Sequence, residues 1–63
     1  MNDIKVGNTF GDSFGENEYT VTATGWDKVW RKNVVWTIDL DGNTVGFSVE
    51  QVNNTIRNGG FFK

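Results

Sequence analysis

Alternating apolar and polar positions run through the middle of the chain and predict antiparallel strands. Asp41-Gly42 is a strong signal for a two-residue turn. A turn there places Trp36 opposite Phe47 and Ile38 opposite Val45, with mostly polar positions between them. This separation is typical of a half-buried antiparallel pair. The pattern therefore predicts a hairpin whose buried face carries Trp36.

A second hairpin is predicted just upstream, with a turn at Asp27-Lys28. It would pair Trp36 with Tyr19, so that the apolar sides of both hairpins point the same way. Asp-Lys is a poor two-residue turn, and a wider loop over residues 26–33 would preserve the inner pairing. Both registers agree on one prediction, which is that Trp36 belongs to the core.

A short helix is predicted after the third strand of this meander. Ser48 stands three residues before Gln51, which is the spacing of a capping box. Gly59-Gly60 is typical of a helix end. One apolar stripe lies between these signals, at positions i, i+3 and i+7: Val49, Val52 and Ile56.

The two ends of the chain complete the predicted fold. Ile4 to Phe10 has the pattern of a first strand, residues 11–17 form a glycine-rich loop, and Phe61-Phe62 is a last short strand or a packed tail. Five short strands in about sixty residues can cover a core only by curling. We therefore predict one mainly β domain over residues 1–63. Its expected form is a small five-stranded antiparallel Src-homology-3-like barrel or curled sheet with a short helix before the last strand; the alternative is an open antiparallel sheet with the helix packed on one face.

The composition narrows the chemistry available to the chain. It contains neither cysteine nor histidine, which removes disulfides, thiolate metal sites, the commonest metal ligand and the commonest general base. We therefore expect no cofactor, no metal site and no enzymatic activity. The first residues lack the apolar stretch of a leader peptide, and no apolar run is long enough to span a membrane. These features favour a cytoplasmic protein without a membrane partner.

Charge is distributed unevenly, although the net charge is only −2. The first twenty residues carry one lysine, Lys5, against four acidic residues: Asp3, Asp12, Glu16 and Glu18. A basic segment follows later in the chain, with Asp27 as its one acidic residue and three cations: Lys28, Arg31 and Lys32. A weakly acidic total argues against a general nucleic-acid binder, so local contacts are the better guide.

Two segments carry a family resemblance. The residues 5–10, KVGNTF, followed by 19–22, YTVT, resemble the opening of small Src-homology-3-like barrels. The residues 47–52, FSVEQV, followed by 56–59, IRNG, are similar to the strand, helix and glycine that close many small bacteriophage accessory proteins. The resemblance implies a phage or prophage origin and a role in manipulating host proteins or host defences. It implies no catalytic residue.

The candidate contact site is the segment that holds all three tryptophans. Trp36 is assigned to the core, Trp30 to the boundary of the sheet, and Trp26 to the outer face or the loop tip. Exposed tryptophan beside cations is typical of protein-contact hot spots. The predicted partner-binding residues are Trp26, Lys28, Trp30, Arg31 and Lys32.

The leading functional hypothesis is a small non-enzymatic binding protein that is phage-encoded and modulates or inhibits a host bacterial protein in the host cytoplasm. A homodimer is a second expected partner state, because self-association adds stability to so short a chain. One alternative is a nucleic-acid-binding barrel that uses the same loop, since aromatic and basic side chains also suit single strands. A further alternative is a glycan- or small-ligand-binding module with Trp26 and Trp30 as platforms.

Overall fold

Residues 4–63, which a computed structural model describes, form five strands and one helix. Asp3 of the acidic N-terminal segment lies outside the described residues. In chain order the elements are β1 (Thr9–Gly11), β2 (Glu18–Asp27), β3 (Lys32–Ile38), β4 (Thr44–Ser48), α1 (Val49–Arg57) and β5 (Phe61–Phe62). The strands make one antiparallel sheet in the order β4-β3-β2-β1-β5, curled into a half-barrel. The predicted mainly β fold, with a short helix before the last strand, is confirmed in its curled-sheet form.

The first strand is shorter than the sequence pattern predicts. The expected span was Ile4 to Phe10, whereas β1 begins at Thr9. The segment before it makes a turn in which the Asn8 N–H donates to the carbonyl oxygen of Lys5 at 3.0 Å. Gly7 adopts a positive φ of 97° in this turn, a backbone conformation that glycine tolerates best.

The helix begins and ends where the sequence signals place it. The Ser48 side chain accepts a hydrogen bond from the Gln51 backbone N–H at 3.1 Å, and the Ser48 N–H donates to Gln51 Oε1 at 2.9 Å. This reciprocal pair is the predicted capping box. Val52 is buried, while Val49 and Ile56 pack partly buried against the same core. The predicted stripe is therefore confirmed.

The core lies between the helix and one face of the sheet. Its fully buried members are Phe10, Val21, Val35 and Val52. Phe10 contacts two further rings, with centroids 5.4 Å from Tyr19 and 5.4 Å from Phe47. Burial of each such side chain contributes about 1.5–3 kcal/mol, so this cluster stabilises the packing of the helix on the sheet.

The β3–β4 hairpin exists as predicted, but its register is shifted by one residue. Trp36 lies opposite Gly46, and Phe47 lies opposite Val35. The connection is a five-residue turn, because Asp39 Oδ1 accepts hydrogen bonds from the backbone N–H groups of Asp41 at 2.9 Å and Asn43 at 2.8 Å. A shift of one residue exchanges the two faces of a strand. The prediction that Trp36 belongs to the core is therefore wrong.

The β2–β3 hairpin also differs from its predicted register. Its last pair is Asp27 with Lys32, so the turn spans residues 28–31, and Trp36 lies opposite Ala23 instead of Tyr19. A β-bulge between Val21 and Ala23 changes the register along the ladder. The bulge inserts one extra residue, which places Val21 on the helix side and Ala23 on the opposite face.

Candidate functional site

The sheet has one covered face and one open face. Residues that lie directly opposite each other on antiparallel strands share a face. The helix covers the face of Val21 and Val35, whereas Trp36 and Ile38 lie on the other face. This second face, on which Trp36 and Ile38 stay partly exposed, is called the open face.

Two tryptophans and an isoleucine form an apolar patch on the open face. The rings of Trp30 and Trp36 are tilted by 36°, with their centroids 6.3 Å apart. Trp36 keeps 37% of its surface exposed, and Ile38 and Trp30 are exposed more. We call these three residues the open-face patch. Val34, two residues before Trp36 on the same face of β3, is fully buried.

The patch extends to the edge of the sheet because β4 carries a glycine at its centre. A Cβ atom on Gly46 would lie 2.7 Å from the Trp36 ring, closer than any stable contact allows, so the ring occupies the space above this glycine. Beside it lies an open groove of about 470 Å³. The groove is lined by Trp30, Lys32, Gly46, Ser48 and Gln51.

The turn between β2 and β3 is held by one aspartate. The Oδ1 atom of Asp27 accepts hydrogen bonds from the backbone N–H groups of Val29 and Trp30, both at 2.8 Å, and its carbonyl oxygen accepts one from the Arg31 N–H at 2.7 Å. Arg31 adopts a positive φ of 57°, an uncommon conformation for a residue with a side chain. These bonds stabilise the turn between Asp27 and Arg31. We call the turn and its neighbours, residues 26–32, the hairpin tip.

The predicted contact residues are all exposed, but they do not form a single cluster. Trp26 is 63% exposed and lies opposite Asn33, on the same side of the sheet as Val35. Trp30 folds the other way and packs on Trp36. The tip therefore presents Trp26 on one side and Trp30 on the other, so the two rings are not a joint platform. The three cations, Lys28, Arg31 and Lys32, are exposed along the tip.

Acidic side chains gather at the opposite end of the same ladder. Residues 16–18 and 39–41 border one small depression there, which includes Glu16, Glu18, Asp39 and Asp41. β2 has ten residues and spans about 30 Å at its usual rise, so the basic tip and the acidic end are separated by nearly the 33 Å length of the molecule. Nearby, a hydrogen bond from the Asn17 side chain holds the pKa of Asp12 below its ordinary value.

The open-face patch is the part of the site that the sequence interpretation missed. Two signals point to it. Asp39 precedes the Asp41-Gly42 pair and offers a side-chain cap for a wider turn, and a glycine inside a strand often marks close approach of another group. Gly46 is that glycine.

Comparisons with protein-family models, with curated proteins and with solved structures found no match to the chain. In the part of the chain that the structure describes, no helix has the length and apolar character needed to cross a membrane. Within the same residues, no three acidic side chains come together as possible metal ligands.

Proposed function

We propose that this chain is a small non-enzymatic binding protein that contacts a partner protein through its hairpin tip. In line with the resemblance to bacteriophage accessory proteins, the proposed partner is a protein of a bacterial host, whose activity the contact modulates or inhibits. The observation that carries the proposal is the exposure of Trp26 and Val29 on a turn that hydrogen bonds hold in place.

Apolar exposure at the tip is unusual for a turn. Val29 is 86% exposed at the end of the longest hairpin, and Trp26 of the same tip is 63% exposed. Tryptophan on a preorganised segment binds at low entropic cost, because little freedom is lost on contact. The capped turn meets this condition, since Asp27 already fixes its backbone.

The charges at the tip favour a partner surface with acidic groups. Lys28 precedes Val29 and Arg31 follows it by two residues. The Asp27 carboxylate is already engaged by two backbone N–H groups. The acidic side chains lie at the far end of the molecule. Such a separation of charge orients the tip toward a negative surface during encounter and raises the association rate.

A capture experiment tests the proposal. The immobilised chain is exposed to nuclease-treated bacterial lysate, and captured proteins are compared between wild type and Trp26→Ala/Val29→Ser. We expect the tip variant to lose the main captured protein by at least about tenfold, as removal of a hot-spot residue typically does. Phe14→Ala is the matched control, because Phe14 is an exposed aromatic residue outside the tip.

Two outcomes would contradict the proposal. Capture of the same proteins by wild type and tip variant would remove the tip from the contact. Capture that occurs only when the nuclease treatment is omitted, together with saturable binding of a labelled single-stranded oligonucleotide that weakens steeply with salt, would support the nucleic-acid alternative. Trp30 is left unchanged in this test, because its ring packs on Trp36.

A further inference from the structure

β4 forms one edge of the sheet and leaves backbone groups free. In an antiparallel ladder, successive residues direct their N–H and C=O groups alternately toward one neighbouring strand and the other. The Asn43 carbonyl accepts the Asp39 N–H at 3.0 Å, so residues 43, 45 and 47 point toward β3. Thr44 and Gly46 therefore direct their backbone groups outward, away from the sheet.

This edge lacks the usual devices against strand pairing. Native edge strands commonly carry a charged residue, a proline or a bulge. β4 has the sequence TVGFS, which contains neither charge nor proline, and its register with β3 is continuous. Its last residue is already engaged, because Ser48 caps the helix. The free portion is short and self-complementary.

We propose that a second copy of this chain pairs with β4, antiparallel and about a two-fold axis at Val45. Thr44 of each copy then lies opposite Gly46 of the other, and the outward N–H and C=O groups of both residues exchange hydrogen bonds. The two sheets become one sheet of ten strands. The open faces join as well, so the Trp36 ring above Gly46 comes to lie beside Thr44 of the second copy.

The same two-fold places a turn of each copy at a groove of the other. Asn43 falls opposite Phe47 of the second copy, so the 39–43 turn continues past the end of β4, where the groove lined by Trp30, Lys32 and Ser48 opens. That turn carries the exposed apolar side chain of Leu40 and the carboxylate of Asp41. An apolar and an acidic group thus reach a groove that offers an aromatic ring and a cation.

This complementarity is the reason to favour a second copy over an unrelated extended peptide. A stable interface needs about 800 Å² from each partner, close to one fifth of the 4445 Å² surface of this chain. Pairing along β4 alone falls short of that area. The two-fold axis adds two further contacts, because the 39–43 turn of each copy reaches the groove of the other.

Disulfide trapping tests both the pairing and its register. The chain has no cysteine, so a single Val45→Cys substitution gives one thiol per copy. Across the axis, the two Cα atoms of a non-hydrogen-bonded pair lie about 4.5 Å apart, within the range of a disulfide. We expect oxidised Val45→Cys to form a covalent dimer. Thr24→Cys, an exposed position on central β2, is the matched control and should stay monomeric.

Sedimentation equilibrium tests the association without cross-linking. Wild type should be dimeric at about 100 µM, the behaviour of a micromolar dissociation constant. Thr44→Pro removes the outward N–H and leaves the β3–β4 ladder intact, so the dissociation constant should rise about tenfold or more. A circular dichroism spectrum like that of wild type shows that this variant folds.

Three results would overturn the proposal: a monomeric wild type at that concentration, equal trapping of Val45→Cys and Thr24→Cys, or a dimer that Thr44→Pro leaves unchanged. Trp30 and Lys32 of the hairpin tip line the groove, whereas Trp26 and Val29 take no part in this pairing. Trp26→Ala/Val29→Ser should therefore dimerise like wild type, so that failure here and failure of the proposed tip contact are separate outcomes.

Discussion

The two faces of the sheet carry similar side chains in opposite environments. On the covered face, Phe10 packs between Tyr19 and Phe47 under the helix. On the open face, Trp30 and Trp36 pack on each other with large fractions of their rings exposed. The difference comes from α1, the one helix in residues 4–63, because it packs on the face of Val21 and Val35.

The two faces therefore differ in role: one stabilises the fold, and the other is accessible to a binding partner. The covered face is closed by rings that meet at 4.9–5.4 Å, and a change there disturbs close packing on all sides. A change on the open face removes contacts from one side only. The covered face is therefore expected to hold the fold, while the open face and the tip can take part in binding.

The largest expected effect follows from truncating the covered face. Phe10→Ala should destabilise the domain by about 3–5 kcal/mol, because it leaves a cavity between two rings and the helix. A chain of this length has about 3 to 9 kcal/mol in total, so much of the population should unfold. Urea denaturation followed by circular dichroism measures the change. Phe10→Leu, at about 1–2 kcal/mol, keeps the measurement possible if the alanine variant does not fold.

If Phe10→Ala lowered the free energy of unfolding by much less, the covered face would not be more important for stability than the open face. Phe14→Ala serves as the control, because it removes the same type of side chain from a position that is 84% exposed. Removal of an exposed side chain typically changes stability by less than about 0.5 kcal/mol.

An intermediate effect is expected where the open face meets the edge. Gly46→Ala should destabilise the domain by about 1–3 kcal/mol, because the new methyl group collides with the Trp36 ring. The collision depends on the ring, so the same change in a Trp36→Ala background should cost little. A double-mutant cycle in urea, at a concentration low enough to keep the chain monomeric, measures this coupling. Additive effects of the two substitutions would show that the ring does not occupy the space above Gly46.

The smallest expected loss of stability concerns α1, the helix that covers one face of the sheet. Ser48→Ala removes the cap of α1 and should cost about 1 kcal/mol. The loss should appear as a lower midpoint of urea denaturation with an unchanged slope. Ser13→Ala, a change of the same residue type in the exposed loop before β2, should leave the midpoint unchanged. Equal effects of the two substitutions would argue against the capping role.

Local signals in the sequence predicted the local structure well. The capping box at Ser48 and the stripe through Val52 depend on residues within two turns of each other. These features need no knowledge of how distant strands pair.

Strand register and strand faces could not be read from the same sequence. The predicted register rested on a two-residue turn at Asp41-Gly42, and the Asp39 side chain stabilises a five-residue turn instead. The bulge after Val21 moves residues to the other face without any proline or glycine to mark it. Each error shifts whole strands, which is why Trp36 was assigned to the core and the open-face patch was missed.

The pairing of Trp30 with Trp36 also gives the protein a built-in optical probe. Two indoles 6.3 Å apart are close enough for their electronic transitions to couple, which produces a paired positive and negative band in ultraviolet circular dichroism. Trp26 lies outside this pair and is 63% exposed, so we expect its emission at the wavelength of a solvated ring. One unlabelled sample can therefore report on the Trp30–Trp36 pair through the coupled circular dichroism bands and on Trp26 through its emission wavelength.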